Sequence, residues 1–378
     1  MKHNNNNNVK FFKTPSEFNK NTPRDILQYC LGATMYTPGT KDIYKNIIDK
    51  RWNDLKSLVM CFEDSIPESD LEKAELNVRN ILNKLNEAIK DEIFNVDDLP
   101  LLIFRVRNLK QFISFTKNLT PNQLKLITAF NFPKFTSVEA GDYFEHLKKL
   151  NEKSDEIIYG MPILESKELA YIETRHNEMV SLNKTLKEYK QLVLNIRVGG
   201  TDFSSYFGVR RSINNTIYDI GVVKDILFDI INVFGRDNEF VISAPVWEYF
   251  SVHDSMKFEE NLPHKIDKSI FNKTRLIDEA IDGLIKEILL DKVNGFIGKT
   301  IIHPTHIKYV NALYSVTKEE YEDAKQINNH HGGVIKSTSK NKMNEINPHM
   351  SWAKNILSRA KIYGVIETEK DYFNLFFS

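Results

Sequence analysis

The sequence predicts an α/β chain folded as a (β/α)8 TIM barrel with a C-terminal helical extension. Short apolar stretches alternate with longer amphipathic ones from about residue 31 to 315, the rhythm of strand followed by helix. Eight apolar stretches stand in that rhythm, each followed by a helix or a long connection, which favours a closed parallel barrel over an open doubly wound sheet. No glycine-rich dinucleotide fingerprint follows any of them, which weakens the open-sheet alternative further.

The strands are expected at 31–36, 57–62, 101–106, 124–130, 157–164, 192–198, 240–244 and 296–302. Helical periodicity is clearest at 42–52, 69–91, 138–150, 168–189, 220–234 and 276–290. Glu72, Lys73 and Glu75, and likewise Lys184, Lys187 and Glu188, read as solvated helix faces. A polar interruption at 250–273, containing His253, Pro263 and His264, reads as a surface insertion. After Tyr314 come a helix at about 318–329, the Gly332-Gly333 break, a flexible Lys/Ser/Asn stretch to Asn347, and a last helix at 349–363. Residues 1–24 form an N-terminal tail, partly disordered through the run Asn4 to Asn8, 25–315 the barrel, and 316–378 the extension. The extension is too short for a sizeable core of its own. It reads as a lid over the barrel mouth or as a packing arm between subunits.

Composition excludes several classes of function. The 378 residues include 24 Phe and 15 Tyr, which suits a large globular core, and no apolar run approaches the roughly 18 residues that span a bilayer. Lys+Arg and Asp+Glu are both 51, so no overall field draws the chain to nucleic acid or anionic lipid. Cys30 and Cys61 are the only cysteines; they read as small buried residues, and their number fits a reducing cytoplasm rather than a disulfide framework. No apolar segment of a secretory leader follows Lys2 and His3.

The chemistry is expected at the strand ends. Glu165 closes the run Met161-Pro162-Ile163-Leu164, and Asp202 follows Val198-Gly199-Gly200-Thr201. Two carboxylates converging from separate strands repel each other unless a cation neutralises them, and hard oxygen ligands favour Mg²⁺ or Mn²⁺ over zinc. Helix capping or pairing with Arg is the structural alternative. No His pair with zinc-ligand spacing stands near the two acids. Taken in order, the strand ends carry Thr37-Pro38-Gly39-Thr40-Lys41, Glu63-Asp64-Ser65, Arg105-Val106-Arg107-Asn108, Pro133-Lys134, Glu165-Ser166, Gly200-Thr201-Asp202, Ser243-Ala244-Pro245 and His303-Pro304.

This series resembles the citrate lyase beta-subunit and HpcH/HpaI aldolase superfamily. Tyr36 to Lys41 is similar to its VPG-x-R element, Phe62 to Ile66 to LEDAV, Phe104 to Arg107 to its VR strand, Pro133-Lys134 to PK, and Pro162 to Ser166 to PLIET. Val198 to Asp202 resembles its FG-x-x-D turn, and Gly295 to Pro304 its GF-x-GK-x-x-IHP strand. Val310-Asn311 and segments from Lys342 to Ala360 are similar to its tail, so the resemblance covers nearly the whole chain.

The resemblance implies a Mg²⁺-dependent enzyme, Mn²⁺ being a possible substitute, that makes or breaks a carbon–carbon bond beside a carbonyl. Glu165 and Asp202 would hold the metal, Arg105 would stabilise the developing enolate, and Glu63 and Asp64 would support the site. Lys41, Arg107, Lys134, Gly200, Thr201 and Pro245 would face a small acidic substrate. The structural alternative for Arg105 is an ion pair with Asp64 that only stabilises the barrel. Lys41 stands where relatives carry Arg and lacks its planar fork, which puts coenzyme A thioesters in doubt. Arg107, where many relatives have Asn, adds a cation, and Tyr206, Arg210 and Arg211 read as further groups near an anion or as solvated loop residues. His303 reads as closing the last strand, with general-base catalysis as the alternative. These departures resemble a divergent branch of carbon–carbon lyase-like proteins found among bacterial stress and tellurium-resistance genes, and a phosphorylated or other acidic substrate is expected. The rivals are thioester hydrolysis or condensation at the same site, and a metabolite-binding or scaffold barrel. Relatives imply a cytoplasmic trimer or hexamer.

Overall fold

The computed structural model describes residues 1–5, 9–52, 54–250 and 276–377. Eight parallel strands make the central sheet: β1 Ala33–Pro38, β2 Ser57–Cys61, β3 Leu101–Arg105, β4 Ile127–Phe132, β5 Tyr159–Leu164, β6 Ile196–Val198, β7 Ile242–Ser243 and β8 Lys299–Ile301. Each pairs with its neighbour in sequence from β1 to β7, and β8 pairs with β1. The bridge between Ala244 and Lys299 joins β7 to β8 and closes the barrel. Strands β2 to β6 are buried at every position, as parallel strands covered on both faces must be.

Helices α1 Leu71–Lys90, α2 Leu109–Lys117, α3 Ser137–Asn151, α4 Ile172–Glu188, α5 Gly221–Phe234 and α6 Glu279–Val293 surround the strands. Much of the phenylalanine content is spent between β3, β4, α2 and α3. There Phe62, Phe104, Phe112, Phe115, Phe130, Phe132 and Tyr143 form a continuous aromatic cluster, and each such ring removes roughly 150–250 Å² from water.

Every expected strand exists, with shifted limits. The fourth begins at Ile127 because Leu124 ends a short helix, Pro121–Leu124, opened by a reciprocal Thr120–Gln123 cap; an apolar run does not mark where helix gives way to strand. The sixth is trimmed to Ile196–Val198 behind a single turn at Lys190–Leu192. The expected helix at 168–189 breaks at Tyr171, whose backbone is extended (φ −86°, ψ 132°). The expected insertion at 250–273 lies, but for Phe250, outside the described residues.

Helices α7 Lys318–Asn328 and α8 Ile346–Tyr363 build the extension. The stretch read as flexible forms a hairpin, Val334–Lys336 against Met343–Glu345. The extension has only a small core of its own: Val316, Ala324, Ile327, Ile346, Ala353, Ile356, Ala360 and Val365. A three-stranded sheet ties it to the chain start, with Val365–Ile366 between Val316–Thr317 and Phe11–Lys13.

Two of its docking contacts lie at the strands' N-terminal rim. Tyr363 OH donates to Tyr29 O at 2.7 Å, just ahead of β1, and Asn238 Nδ2, ahead of β7, donates to Ser351 O at 2.9 Å. While the last helix, Asp371–Phe376, packs on Tyr309 of the outer helix Ile307–Leu313, these contacts brace the end opposite the mouth. His3 and Asn4, read as loose tail, are packed there too. His3 is fully buried, hydrogen-bonded to Cys30 O at 2.7 Å and stacked on Tyr363, while Asn4 Nδ2 donates to Asn311 O, Ser315 Oγ and Tyr363 O.

Candidate active site

The C-terminal strand ends surround a cavity of about 300 Å³ whose lining includes Asp64, Arg105, Glu165, Gly200, Thr201 and Asp202. Arg105, at the tip of β3, is its hub. Its Nη2 lies 2.7 Å from Glu63 Oε2, 3.2 Å from Asp64 Oδ2 and 2.9 Å from Glu165 Oε1. Burial works against its charge, but Glu165 and Glu63 overcome this and raise its pKa.

Lys134 supplies the second cation. Its Nζ binds Glu63 Oε1 and lies 3.5 Å from Asp64 Oδ1. Its backbone is left-handed (φ 46°), an uncommon conformation for a non-glycine residue and one concentrated at functional sites. In that conformation its N–H donates to Glu165 Oε1 at 3.0 Å.

Glu165 and Asp202 come together in the wall of the same cavity, close enough for the charge of one to act on the other. Burial raises the pKa of both. The Glu165 carboxyl is pushed up to about 8, with Asp202 adding repulsion and Arg105 opposing it. The close approach depends on Gly199, where a Cβ would stand 2.2 Å from Glu165 Oε2. Gly200 packs on Pro245 in the same way, with a Cβ reaching 2.9 Å from the proline ring.

Four carboxylates, Glu63, Asp64, Glu165 and Asp202, thus face two cations, Arg105 and Lys134. The donor set fits Mg²⁺, which keeps several waters and takes only one or two protein carboxylates. Among the described residues no three His, Cys, Asp or Glu side chains form a ready cage for a metal.

Other expected site residues stand elsewhere. Arg107 is corrected from a mouth cation to a brace: its Nε donates to Phe62 O and its Nη2 to Ile66 O, both at 3.0 Å, holding the loop after β2. Lys41 is exposed, with its ammonium 5.8 Å from the Trp52 ring centroid, and is not in the cavity wall. Arg211 is neither solvated nor turned to the cavity; it is buried on Glu287 at 2.7 Å. Arg210 is exposed beside Glu248, and Tyr206 OH donates to Glu165 O at 3.4 Å. His303 stacks on Phe250 and bonds Thr305 Oγ1 at 2.8 Å, which ties it into its own turn. Cys30 and Cys61 are free and buried.

Sequence reasoning gave no site role to Tyr36, Arg197 and Thr300, polar residues of the cavity wall. One signal was available for Arg197, a lone cation inside the apolar strand Leu194 to Val198.

No curated protein sequence matches the chain. Among solved structures it is similar to protein CitE from Mycobacterium tuberculosis in complex with magnesium, acetoacetate and coenzyme A, at 13% identity and a TM-score of 0.51, over 88% of this chain and 99% of that one. RipC from Yersinia pestis aligns at 16% identity and a TM-score of 0.47, over 78% and 99% of the two chains. At these identities the likeness to CitE speaks for the fold. No described helix is long and apolar enough to cross a membrane. A family model described as a C-C bond lyase of the TIM-barrel fold matches residues 25–365, and the chain belongs to that family.

Proposed function

We propose that this chain is a Mg²⁺-dependent carbon–carbon lyase or aldolase that acts on a small 2-oxo acid, or a related acid, through an enolate. The excess of acids at the mouth carries this reading: four carboxyl groups gather around two cations, and burial with mutual repulsion pushes Glu165 toward its protonated form, a strain that one divalent ion would relieve. Magnesium, when bound, supplies positive charge to an oxygen that becomes negative as the bond breaks.

The chain's own residues do the rest. Glu165 and Asp202 would hold the ion, and their negative charge would then be matched. Arg105 is held by Glu63, Asp64 and Glu165, so its fork is oriented before substrate arrives and can donate to the enolate oxygen with little rearrangement. Lys134 fixes Glu63 from the far side. Ile163, Val198, Val246 and Ile302 supply apolar wall, which excludes water and strengthens those interactions. Lys41's position over Trp52 gives no support to a grip on coenzyme A.

The test is turnover of the metal-loaded protein against a panel of 2-oxo acids and β-hydroxy acids, with Arg105→Lys alongside. Mg²⁺-dependent cleavage is expected, falling about 10²-fold or more in the variant. Binding without turnover across the panel would overturn the lyase reading in favour of a metabolite-binding barrel.

A further inference from the structure

The barrel interior contains a cation that the chemistry above leaves unused. Arg197, on β6, is 1% exposed and lines the same cavity as Glu165 and Asp202. Its guanidinium reaches across to β1 and β8, donating from Nη1 to Thr34 Oγ1 at 3.3 Å and from Nη2 to Thr300 Oγ1 at 2.5 Å. The Tyr36 ring centroid lies 5.7 Å from its central carbon. Its Nε has no hydrogen-bond partner, and among the described residues no carboxylate pairs with it. Arg105 and Arg211 are buried to a similar degree, and both hold carboxylates.

Hydroxyls and a ring face compensate a desolvated guanidinium poorly, because neither carries a full opposite charge. The arginine fork suits two-point contact with carboxylate or phosphoryl oxygens. Here it stands in a cavity whose acidic cluster is already assigned to the metal and Arg105.

We propose that Arg197 binds a second anionic group of the substrate, so that the cavity selects small acids with two oxyanion groups, carboxylate or phosphoryl, over acids with one. This rests on the reading that Glu165, Asp202 and Arg105 engage the reacting 2-oxo acid end. Thr300 and Thr34 hold the fork in place, and Tyr36 covers it.

The experiment is calorimetric titration of the full chain with pyruvate, oxaloacetate and 3-phosphonopyruvate, with and without Mg²⁺, in the wild type, Arg197→Met and Arg197→Lys. The wild type is expected to bind at least one of the two diacids about tenfold or more tighter than pyruvate, and which one it favours separates carboxylate from phosphoryl. Arg197→Met is expected to lose that preference and to keep its affinity for pyruvate and for Mg²⁺. Arg197→Lys, a point charge without the fork, should keep only part of it. A wild type with no preference, or a Met variant that retains it, overturns the proposal. Should Arg197→Met fail to fold, the Lys variant decides alone, and an undiminished preference there overturns it. Mg²⁺ titrated without acid tests the metal reading separately: a chain that binds no Mg²⁺ yet prefers diacids through Arg197 loses that reading and keeps this one.

Discussion

Two clusters of buried charge occupy the same barrel and differ in their sums. In one, Arg211 and Lys299 face Glu287 and Asp291: Arg211 lies 2.7 Å from Glu287, and Lys299 bridges Glu287 at 2.9 Å and Asp291 at 2.8 Å. Tyr218 OH completes it with a 2.8 Å bond to Asp291. With Glu248, 3.6 Å from Arg211 and 3.5 Å from Arg210, three cations meet three anions, and the Lys299, Glu287 and Asp291 side chains are wholly out of solvent. In the other, at the mouth, two cations meet four carboxyl groups, and Asp64 and Lys134 are about half exposed. The balanced cluster is complete as a part of the framework. The unbalanced one calls for a cation, and it sits where solutes can enter.

The comparison breaks or sharpens on substitution. The largest effect is expected from Lys299→Met, which strands Glu287 and Asp291 with one cation between them; removing one partner of a buried pair costs about 3–5 kcal/mol. Denaturant unfolding should read that loss, and a wild-type midpoint would show the cluster to be idle.

Glu165→Gln should behave in the opposite way. It replaces an acid that burial already pushes toward its neutral form, so metal-free stability is expected to hold or rise, while the stabilisation that Mg²⁺ gives the wild type, about 2.7 kcal/mol at a hundredfold excess over Kd, disappears. A variant that Mg²⁺ still stabilises fully would place the ion elsewhere.

The smallest effect calibrates burial of a single group with no charged partner. Burial drives the His3 pKa down from 6.5 to about 3. Its stabilisation is therefore complete above pH 6.5 and is lost as the pH falls toward 3, because the unfolded chain takes the proton first. Between pH 7 and pH 5 that amounts to about 2 kcal/mol, and His3→Asn should flatten the profile by that much in thermal or denaturant melts.

The architecture was legible because alternating apolar and amphipathic stretches report burial directly. Boundaries were not: Leu124 is as apolar in its short helix as it would be in a strand, and only the Thr120–Gln123 cap separates the two cases. At the site, Glu165, Asp202, Arg105, Glu63, Asp64 and Lys134 were legible because each ends a strand, and a barrel gathers strand ends. Arg107 and Arg211 misled because charge in sequence does not say what it faces; the first met backbone carbonyls and the second a carboxylate on α6. Arg197 was hidden by its position within a strand, where the question is which side of the sheet a residue takes, and pairing across the barrel answers it.

The small sheet beneath the barrel has a practical meaning. Strand Phe11–Lys13 and strand Val365–Ile366 lie side by side, so two stretches far apart in the sequence are joined at one seam, like a belt fastened at its buckle. Losing either strand opens the same fastening, on the side of the barrel away from the entrance through which solutes come and go.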